Sequence, residues 1–302
     1  MLSIDTLQKA RRVLGSVRGL RFSRAPLLDV SDRIGLLTVT VGLRDVGVFG
    51  VGETRDEESF DTLRNVLENQ GLHCLVSRTI RRSSTNDRLR ASIGDLCQAF
   101  ERVDAVLYEK DREHLLWVFG QADKKEEIER VVEGQVDAGS LLGYPPCCVG
   151  EHRDVSIRAD CAFAFAIVKA VGADHAAIEK ALLEDLKVRV PEEEHASDKR
   201  NVSETQERFP FVFHIACSAC LSSHESPTAE RHREHEAATI QVDRGLHRLF
   251  GEMSRLEIRI HRLMDEGQSK GEGAGQFDKS EEDLMRKLFY DRDRLYNRIL
   301  NG

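Results

Sequence analysis

The sequence predicts an α+β or α/β fold with a small N-terminal mixed domain, a helical domain that carries cysteine motifs, and a C-terminal helical hairpin. Strand-like and helical patterns mix over residues 1–136. Two cysteine motifs lie within residues 137–238, and apolar residues recur at helical spacing over residues 239–302. We therefore predict three domains with these boundaries.

The composition is typical of a globular protein with a large share of charged residues. The chain has 302 residues, of which 40% are apolar and 32% charged, and its formal net charge is −8. This length allows two domains with a core in each. The acidic balance argues against a general nucleic-acid binder, although it does not exclude a local basic patch.

Neither a membrane span nor a secretory signal is predicted. The best apolar run, residues 161–168, ends at Lys169 and is far shorter than the roughly 18 residues that a span requires. Residues 1–24 hold six Lys or Arg and one acid, Asp5. We interpret them as an ordinary terminal helix, with an organellar presequence or a membrane-surface helix as alternatives. Seven cysteines without an export signal indicate the reducing cytoplasm, where clustered cysteines suggest a metal or catalysis.

The N-terminal domain is predicted to begin with a short basic helix over residues 4–18. A β-hairpin over residues 36–41 and 46–51 should follow, in which Gly47, Gly50 and Gly52 indicate a tight strand rather than a phosphate loop. Trp117 and Phe119 are assigned to the core, and Cys74 and Cys97 to buried packing rather than to metal binding. The remaining predicted elements are helix 57–70, strand 72–80, polar loop 81–87, helix 89–100, strand 103–108 and a mainly helical segment 113–132.

The later part of the chain is predicted to be helical apart from one loop. Helices 155–171 and 174–188 are separated by Gly172, and residues 191–208 should form a charged, mobile loop. A heptad seam of apolar residues then leads into a linker over 267–275 and a final helix. The region 240–264 is a candidate for self-association or a protein partner, although packing within the chain is favoured. The seam consists of Val242, Leu246, Leu249, Met253, Leu256, Ile260 and Leu263.

Two motifs carry the predicted chemistry. The first ends in the vicinal pair Cys147-Cys148, and the second in Cys217 and Cys220, whose C-x-x-C spacing lets two sulfurs reach one metal centre. Adjacent cysteines diverge, so a larger iron–sulfur cluster accommodates the vicinal pair more easily than a zinc ion does, and a four-cysteine zinc site is the rival interpretation. His214 is an alternative ligand or a proton donor.

Several alternatives remain open for these residues. Four thiols can merely pack together. A thioredoxin-like redox motif is also possible, although Pro227 interrupts the following helix and only helices follow it. His232 and His235 form either a solvated helix face or a second metal site, and Thr228 or Ser226 is expected to cap their helix.

The two motifs resemble those of an uncharacterised family of prokaryotic proteins. The resemblance is carried by Leu142-Gly143-Tyr144-Pro145-Pro146-Cys147-Cys148-Val149 and by Phe209-Pro210-Phe211, His214 and Cys217-Ser218. These segments are similar to an L-G-Y-P-x-C-C-V signature and a later F-P-F-x-x-H-x-x-C-S signature. The resemblance spans about residues 105–235 and implies that both motifs belong to one functional unit, without naming an activity.

The sequence thus predicts a protein that binds a metal ion or an iron–sulfur cluster through Cys147, Cys148, Cys217 and Cys220. If it is an enzyme, redox chemistry or sulfur transfer on a small molecule, peptide or nucleotide suits these ligands, and Tyr144, Ser218 or His214 would supply hydrogen bonds or protons. The alternative is a zinc-stabilised protein-interaction module that uses the heptad tail as a docking surface.

Overall fold

The secondary structure is mainly helical, with a three-stranded antiparallel sheet and a two-stranded one formed by residues 21–22 and 25–26, which confirms the α+β class. The computed structural model describes residues 1–22, 25–50, 57–77, 91, 94–110, 116–132, 138–184, 193–269 and 279–301. The strands are β1 (Arg21–Phe22), β2 (Ala25–Pro26), β3 (Val46–Gly50), β4 (Leu72–Ser77) and β5 (Leu116–Gln121). The helices up to residue 183 are α1 (Ile4–Arg18), α2 (Val30–Thr40), α3 (Glu57–Glu68), α4 (Cys97–Lys110), α5 (Lys125–Val132), α6 (Ala138–Leu141), α7 (Pro146–Val171) and α8 (His175–Leu183). The later helices are α9 (Glu193–Arg208), α10 (Ser218–Leu221), α11 (Pro227–Val242), α12 (Arg244–Ser269) and α13 (Lys279–Asn301).

The chain folds into two compact units. The first consists of residues 1–43 together with 202–302, and the second of residues 44–201. The first unit is therefore discontinuous in sequence. The predicted boundaries after residues 136 and 238 do not coincide with this division.

The first unit is held together by one apolar core that joins the two ends of the chain. Ala10 and Leu14 of α1 and Ile34 and Leu37 of α2 are buried with apolar residues of α11 and α12. The partners from the later helices are Ala238, Val242, Leu246, Phe250 and Met253. The predicted terminal helix 4–18 is thus confirmed, and its apolar face packs in this core.

The C-terminal hairpin packs against itself and the same core. Ile260 of α12 is buried with Met285 and Leu288 of α13, and Leu256 and Leu263 pack beside them. Val242, Leu246 and Met253 of the heptad seam are buried in the larger core. The seam is therefore used for packing within the chain, as the sequence favoured.

The second unit is built around a three-stranded sheet in the order β3–β5–β4, with antiparallel pairing throughout. Trp117 and Phe119 on the central strand are fully buried, as predicted. Cys74 on β4 is also buried, and burial raises the pKa of its thiol to about 12. A second cluster joins Cys97 and Phe100 of α4 to Ala164 and Ile167 of α7 and Ile178 of α8.

Four segments differ from the secondary structure that the sequence predicted. Residues 36–41 were assigned to a strand but lie in or just after α2, so β3 pairs with β5 and the predicted hairpin is wrong. Asp29 and Asp32 form a capping box that starts α2, and the nearly complete burial of this helix overrides the strand preference of its β-branched residues.

Three further segments differ from the prediction. The predicted strand 103–108 lies inside α4, and residues 116–121 form β5 rather than a helix. The predicted charged loop is wrong over residues 193–208, which form α9. Gly52, the polar loop 81–87 and residues 267–275 lie wholly or partly outside the described residues.

No single helix among the described residues has both the length and the apolar character that a membrane span requires. The pair α7 and α8 does so by length and composition when taken together, but the two helices are bent by 111° at the break between them.

Gly47 is required where β3 crosses an aromatic ring of β5. It lies directly opposite Phe119, and a Cβ atom added at Gly47 would stand 2.3 Å from the Cζ atom of that ring. The ring cannot move aside easily because it is buried and stacked on Phe49, with ring centroids 4.1 Å apart. The tight-strand interpretation of this glycine is therefore confirmed.

We expect Gly47→Ala to destabilise the protein by about 1–3 kcal/mol, because the new methyl group overpacks the sheet. The free energy of unfolding in urea measures this effect. The matched control is Gly150→Ala in α7, where an added Cβ has no neighbour within 4 Å and alanine favours the helix. Equal stability of the two variants would contradict the assignment of Gly47 to close packing.

Candidate metal centre

The first motif reaches its cysteines through a rigid turn. Gly143 follows the short helix α6 and has a positive φ of 73°. Residues other than glycine rarely adopt this backbone conformation. The N–H of Tyr144 donates to the carbonyl of Gly139 over 2.9 Å, which closes the turn. Pro145 is extended, with φ −58° and ψ 136°, and Pro146 occupies the first position of α7.

Arg44 holds this turn from the other side. Its Nε donates to the carbonyl of Leu142 over 2.9 Å, and its guanidinium lies 5.8 Å from the centre of the Tyr144 ring. Arg44 is only 6% exposed, and burial lowers the pKa of its guanidinium. Burial likewise raises the pKa of the Tyr144 hydroxyl, against the opposing effect of Arg44.

Cys147 and Cys148 follow immediately, in the first turn of α7. The carbonyl of Pro145 accepts from the N–H of Cys148 over 2.9 Å and from that of Val149 over 3.0 Å. Cys148 is buried and Cys147 is exposed.

In the second motif, the backbone of Phe211 is hydrogen-bonded to the side chains of two histidines of α11. The N–H of Phe211 donates to Nδ1 of His232 over 3.4 Å, and the carbonyl of Phe211 accepts from Nδ1 of His235 over 2.8 Å. The Phe211 ring is stacked on that of His247, with centroids 5.2 Å apart. Both backbone groups of this buried residue are therefore satisfied.

Cys217 and Cys220 lie just beyond this anchor. The N–H of Ala216 donates to Oγ1 of the buried Thr205 on α9 over 2.9 Å. Cys217 precedes the single-turn helix α10, and its carbonyl accepts from the N–H of Leu221 over 2.9 Å. Cys217 and Cys220 are 3% and 2% exposed, so both thiols are buried.

The sulfur atoms of Cys147, Cys148, Cys217 and Cys220 form one group. All four lie within 4.8 Å of one another. Such a group of soft donors can hold a metal ion. The four residues that the sequence singled out as ligands are thus brought together, whereas Cys74, Cys97 and Cys161 are thiols outside the group.

The residues predicted to serve catalysis lie around the motifs but outside the sulfur group. Nε2 of His214 lies 3.0 Å from Oγ1 of the buried Thr228, so the two side chains are hydrogen-bonded. Tyr144 stands beside Arg44, and Ser218 is exposed on α10. Their proposed roles in catalysis stay predictions.

A cavity of about 290 Å³ adjoins the second motif. Phe209, Phe213 and His214 form part of its wall, and Glu257 of α12 contributes a carboxyl group. Burial raises the pKa of Glu257, and Asp29 adds to the effect. The cavity therefore combines aromatic surface with two groups that can exchange protons.

The structure gives His232 and His235 a role that the sequence did not predict. We predicted a solvated face or a second metal site, but His235 is 4% exposed and both side chains bind the backbone of Phe211. Ser226 caps their helix by accepting from the N–H of Ala229, and Pro227 starts it rather than interrupting it. The i, i+3 spacing places both histidines on one face, but the sequence does not indicate what that face contacts.

Comparison with known proteins finds no protein family, no curated protein and no solved structure that matches this chain.

We expect the hydrogen bond from the N–H of Phe211 to Nδ1 of His232 to weaken in acid. Burial lowers the pKa of His232, although Glu236 opposes the shift. Below the ordinary histidine pKa of about 6.5, the unfolded chain therefore binds more protons at this site, and the free energy of unfolding falls as the pH falls. Protonation also removes the Nδ1 acceptor of the Phe211 N–H.

Urea unfolding of the wild type and of His232→Gln at several pH values checks this prediction. Glutamine retains an acceptor oxygen and does not titrate, so the variant should lose less stability between about pH 7.5 and 5.5. The matched control is His224→Gln, because His224 is exposed. A pH dependence of His232→Gln identical to that of the wild type would exclude this role for His232.

Proposed function

We propose that Cys147, Cys148, Cys217 and Cys220 bind a single zinc ion that fixes the two motifs to each other. The observation that carries the proposal is the separation of the four sulfurs, none of which is more than 4.8 Å from another. Their spacing in sequence gives two pairs of ligands about seventy residues apart. A metal ion bound by both pairs therefore stabilises the folded chain more than either pair alone could.

The sulfur separations suit a mononuclear site. With zinc–sulfur bonds of about 2.3 Å, a tetrahedral ion holds its sulfurs about 3.8 Å apart. The four sulfurs lie within 4.8 Å of one another. A movement of about 1 Å or less by each sulfur would bring them to the tetrahedral separation. Side-chain rotation is sufficient for shifts of this size, so the backbone of both motifs can stay in place.

The same separations make an iron–sulfur cluster the weaker candidate. In an iron–sulfur cluster the four cysteines are divided among two or more iron atoms, so some of their sulfurs must stand farther apart than around one ion. The sequence favours a cluster because the side chains of adjacent cysteines diverge. In the N-terminal turn of α7, Cys148 is buried and Cys147 is exposed. Both sulfurs nevertheless belong to the group, so adjacent cysteines in this turn can reach one metal ion.

Four protein ligands favour a structural role for the metal over a catalytic one. Catalytic zinc sites keep one position open for water or substrate, whereas structural sites are closed by four cysteines or histidines. Three of the four cysteines are also nearly inaccessible, at 2–3% exposure. We therefore propose a zinc-stabilised module, and its thiolate ligands suit a reducing compartment such as the cytoplasm.

A thiol-based enzyme is the second candidate, and the exposure of Cys147 favours it. Cys147 is exposed at the start of the long helix α7, so a substrate can reach its sulfur. Redox chemistry or sulfur transfer would then use the sulfur of Cys147. This candidate requires that Cys147 be the one cysteine whose replacement leaves metal binding intact.

We expect the protein purified without oxygen to contain one zinc per chain and no visible colour. Cys148→Ser, Cys217→Ser and Cys220→Ser should each lose most of the metal, because three remaining cysteines bind zinc far more weakly than four. Cys161→Ser is the matched control, since Cys161 lies outside the group and should keep full occupancy. Elemental analysis and a visible spectrum measure both properties.

The outcomes of this experiment separate the candidates. Iron with a visible band that dithionite bleaches would replace zinc with a cluster. Zinc that persists in Cys147→Ser alone would support a reactive Cys147. The absence of any bound metal from the wild type would overturn the shared site.

Removal of the metal should lower the thermal midpoint of the wild type. A ligand that binds only the folded state raises the free energy of unfolding, so a chelator must reverse that gain. The thermal midpoint of Cys217→Ser should be insensitive to the same chelator. An unchanged midpoint of the wild type after verified loss of zinc would exclude a structural role.

A further inference from the structure

A second site lies in the first unit, where arginines from four helices line one cleft. The cleft has a volume of about 530 Å³. Its arginines are Arg11 and Arg18 of α1, Arg33 of α2, Arg248 of α12 and Arg298 of α13. None of these residues belongs to the cysteine motifs.

The charge of this cleft is opposite to that of the whole chain. Asp243 and Glu252 are the two acids among its described lining residues, so the arginines exceed the acids by three charges. The chain as a whole has a net charge of −8. Oδ1 of Asp243 accepts from the N–H of Leu246, and Glu252 lies 3.9 Å from Arg298.

Two of the arginines are held in position by the fold. Arg11 donates from Nε to the carbonyl of Val242 over 3.1 Å and from Nη2 to that of Gln241 over 3.2 Å. Arg33 is only 7% exposed and extends from a helix that is buried almost throughout.

The walls of the cleft between the arginines are apolar. Leu14, Val242, Leu246 and Leu249 line it together with the charged residues. A volume of this size lies in the range of small-molecule sites, which combine apolar walls with a few polar groups. Guanidinium groups bind phosphate oxygens in pairs, which makes arginine the preferred side chain for phosphate recognition.

We propose that this cleft binds a phosphorylated small molecule of nucleotide size, with its phosphates on the arginines and its less polar part against the leucine wall. Long nucleic acids fit less well, because the site is a bounded cleft in an otherwise acidic protein. The site is separate from the metal centre, so it does not depend on the metal proposal.

The proposal is tested by calorimetric titration of the full-length protein with ADP, inorganic pyrophosphate and adenosine. ADP should bind most tightly and adenosine at least tenfold more weakly, because the phosphate contacts dominate. Arg18→Gln and Arg248→Gln should each weaken ADP binding about tenfold. Arg259→Gln is the matched control, since Arg259 is exposed on the same helix as Arg248 and does not line the cleft.

Three results would overturn the proposal. They are no heat of binding with either ADP or pyrophosphate, an equal loss of affinity in Arg259→Gln, and tighter binding of a single-stranded oligonucleotide than of ADP. Urea midpoints of all variants establish that each is folded. Zinc content is measured in the same samples, so a failure of this site is distinguished from a failure of the metal centre.

Discussion

Four cysteine sulfurs within 4.8 Å of one another place a strong electrostatic constraint on this protein. Two thiolates at that distance repel each other by about 3 kcal/mol at an effective dielectric constant of 20, and burial makes the repulsion harder to screen. A cation placed among the four sulfurs would offset this repulsion. A zinc ion removes the repulsion of every pair at once, and this is the physical basis of the metal proposal.

Each motif is arranged so that its sulfurs need little reorganisation to bind a metal. In the first, Gly143, Pro145 and Pro146 restrict the backbone before the cysteines, and Arg44 fixes the turn through the carbonyl of Leu142. In the second, His232 and His235 hold both backbone groups of Phe211. Restricting the chain in advance reduces the entropy that metal binding must overcome.

The four-cysteine group could be predicted from the sequence because its signal is local. Cysteines in close pairs, preceded by prolines or by an aromatic run, indicate a site without knowledge of the fold. The strands could not be predicted as reliably, because burial decides them. Residues 36–40 have the composition of a strand but are buried on every side of a helix, whereas residues 116–121 are central in the sheet despite a helix-like sequence context. The role of His235 depends on Phe211, which lies 24 positions away, so helix spacing alone could not reveal it.

Helix α11 connects the environments of the two proposed sites. Near its start, Thr228 is hydrogen-bonded to His214 and His232 holds Phe211, while at its end the carbonyls of Gln241 and Val242 accept from Arg11 beside the arginine cleft. A helix of 16 residues is about 24 Å long, so these two ends of α11 lie well apart. Both ligands would nevertheless stabilise the same folded helix, and each would therefore raise the free energy of unfolding independently. Coupling between the two sites would require this helix to have two alternative positions. Its buried His235 is hydrogen-bonded to the carbonyl of Phe211, and its buried Thr239 is hydrogen-bonded to the carbonyl of His235. These contacts favour a single position of the helix.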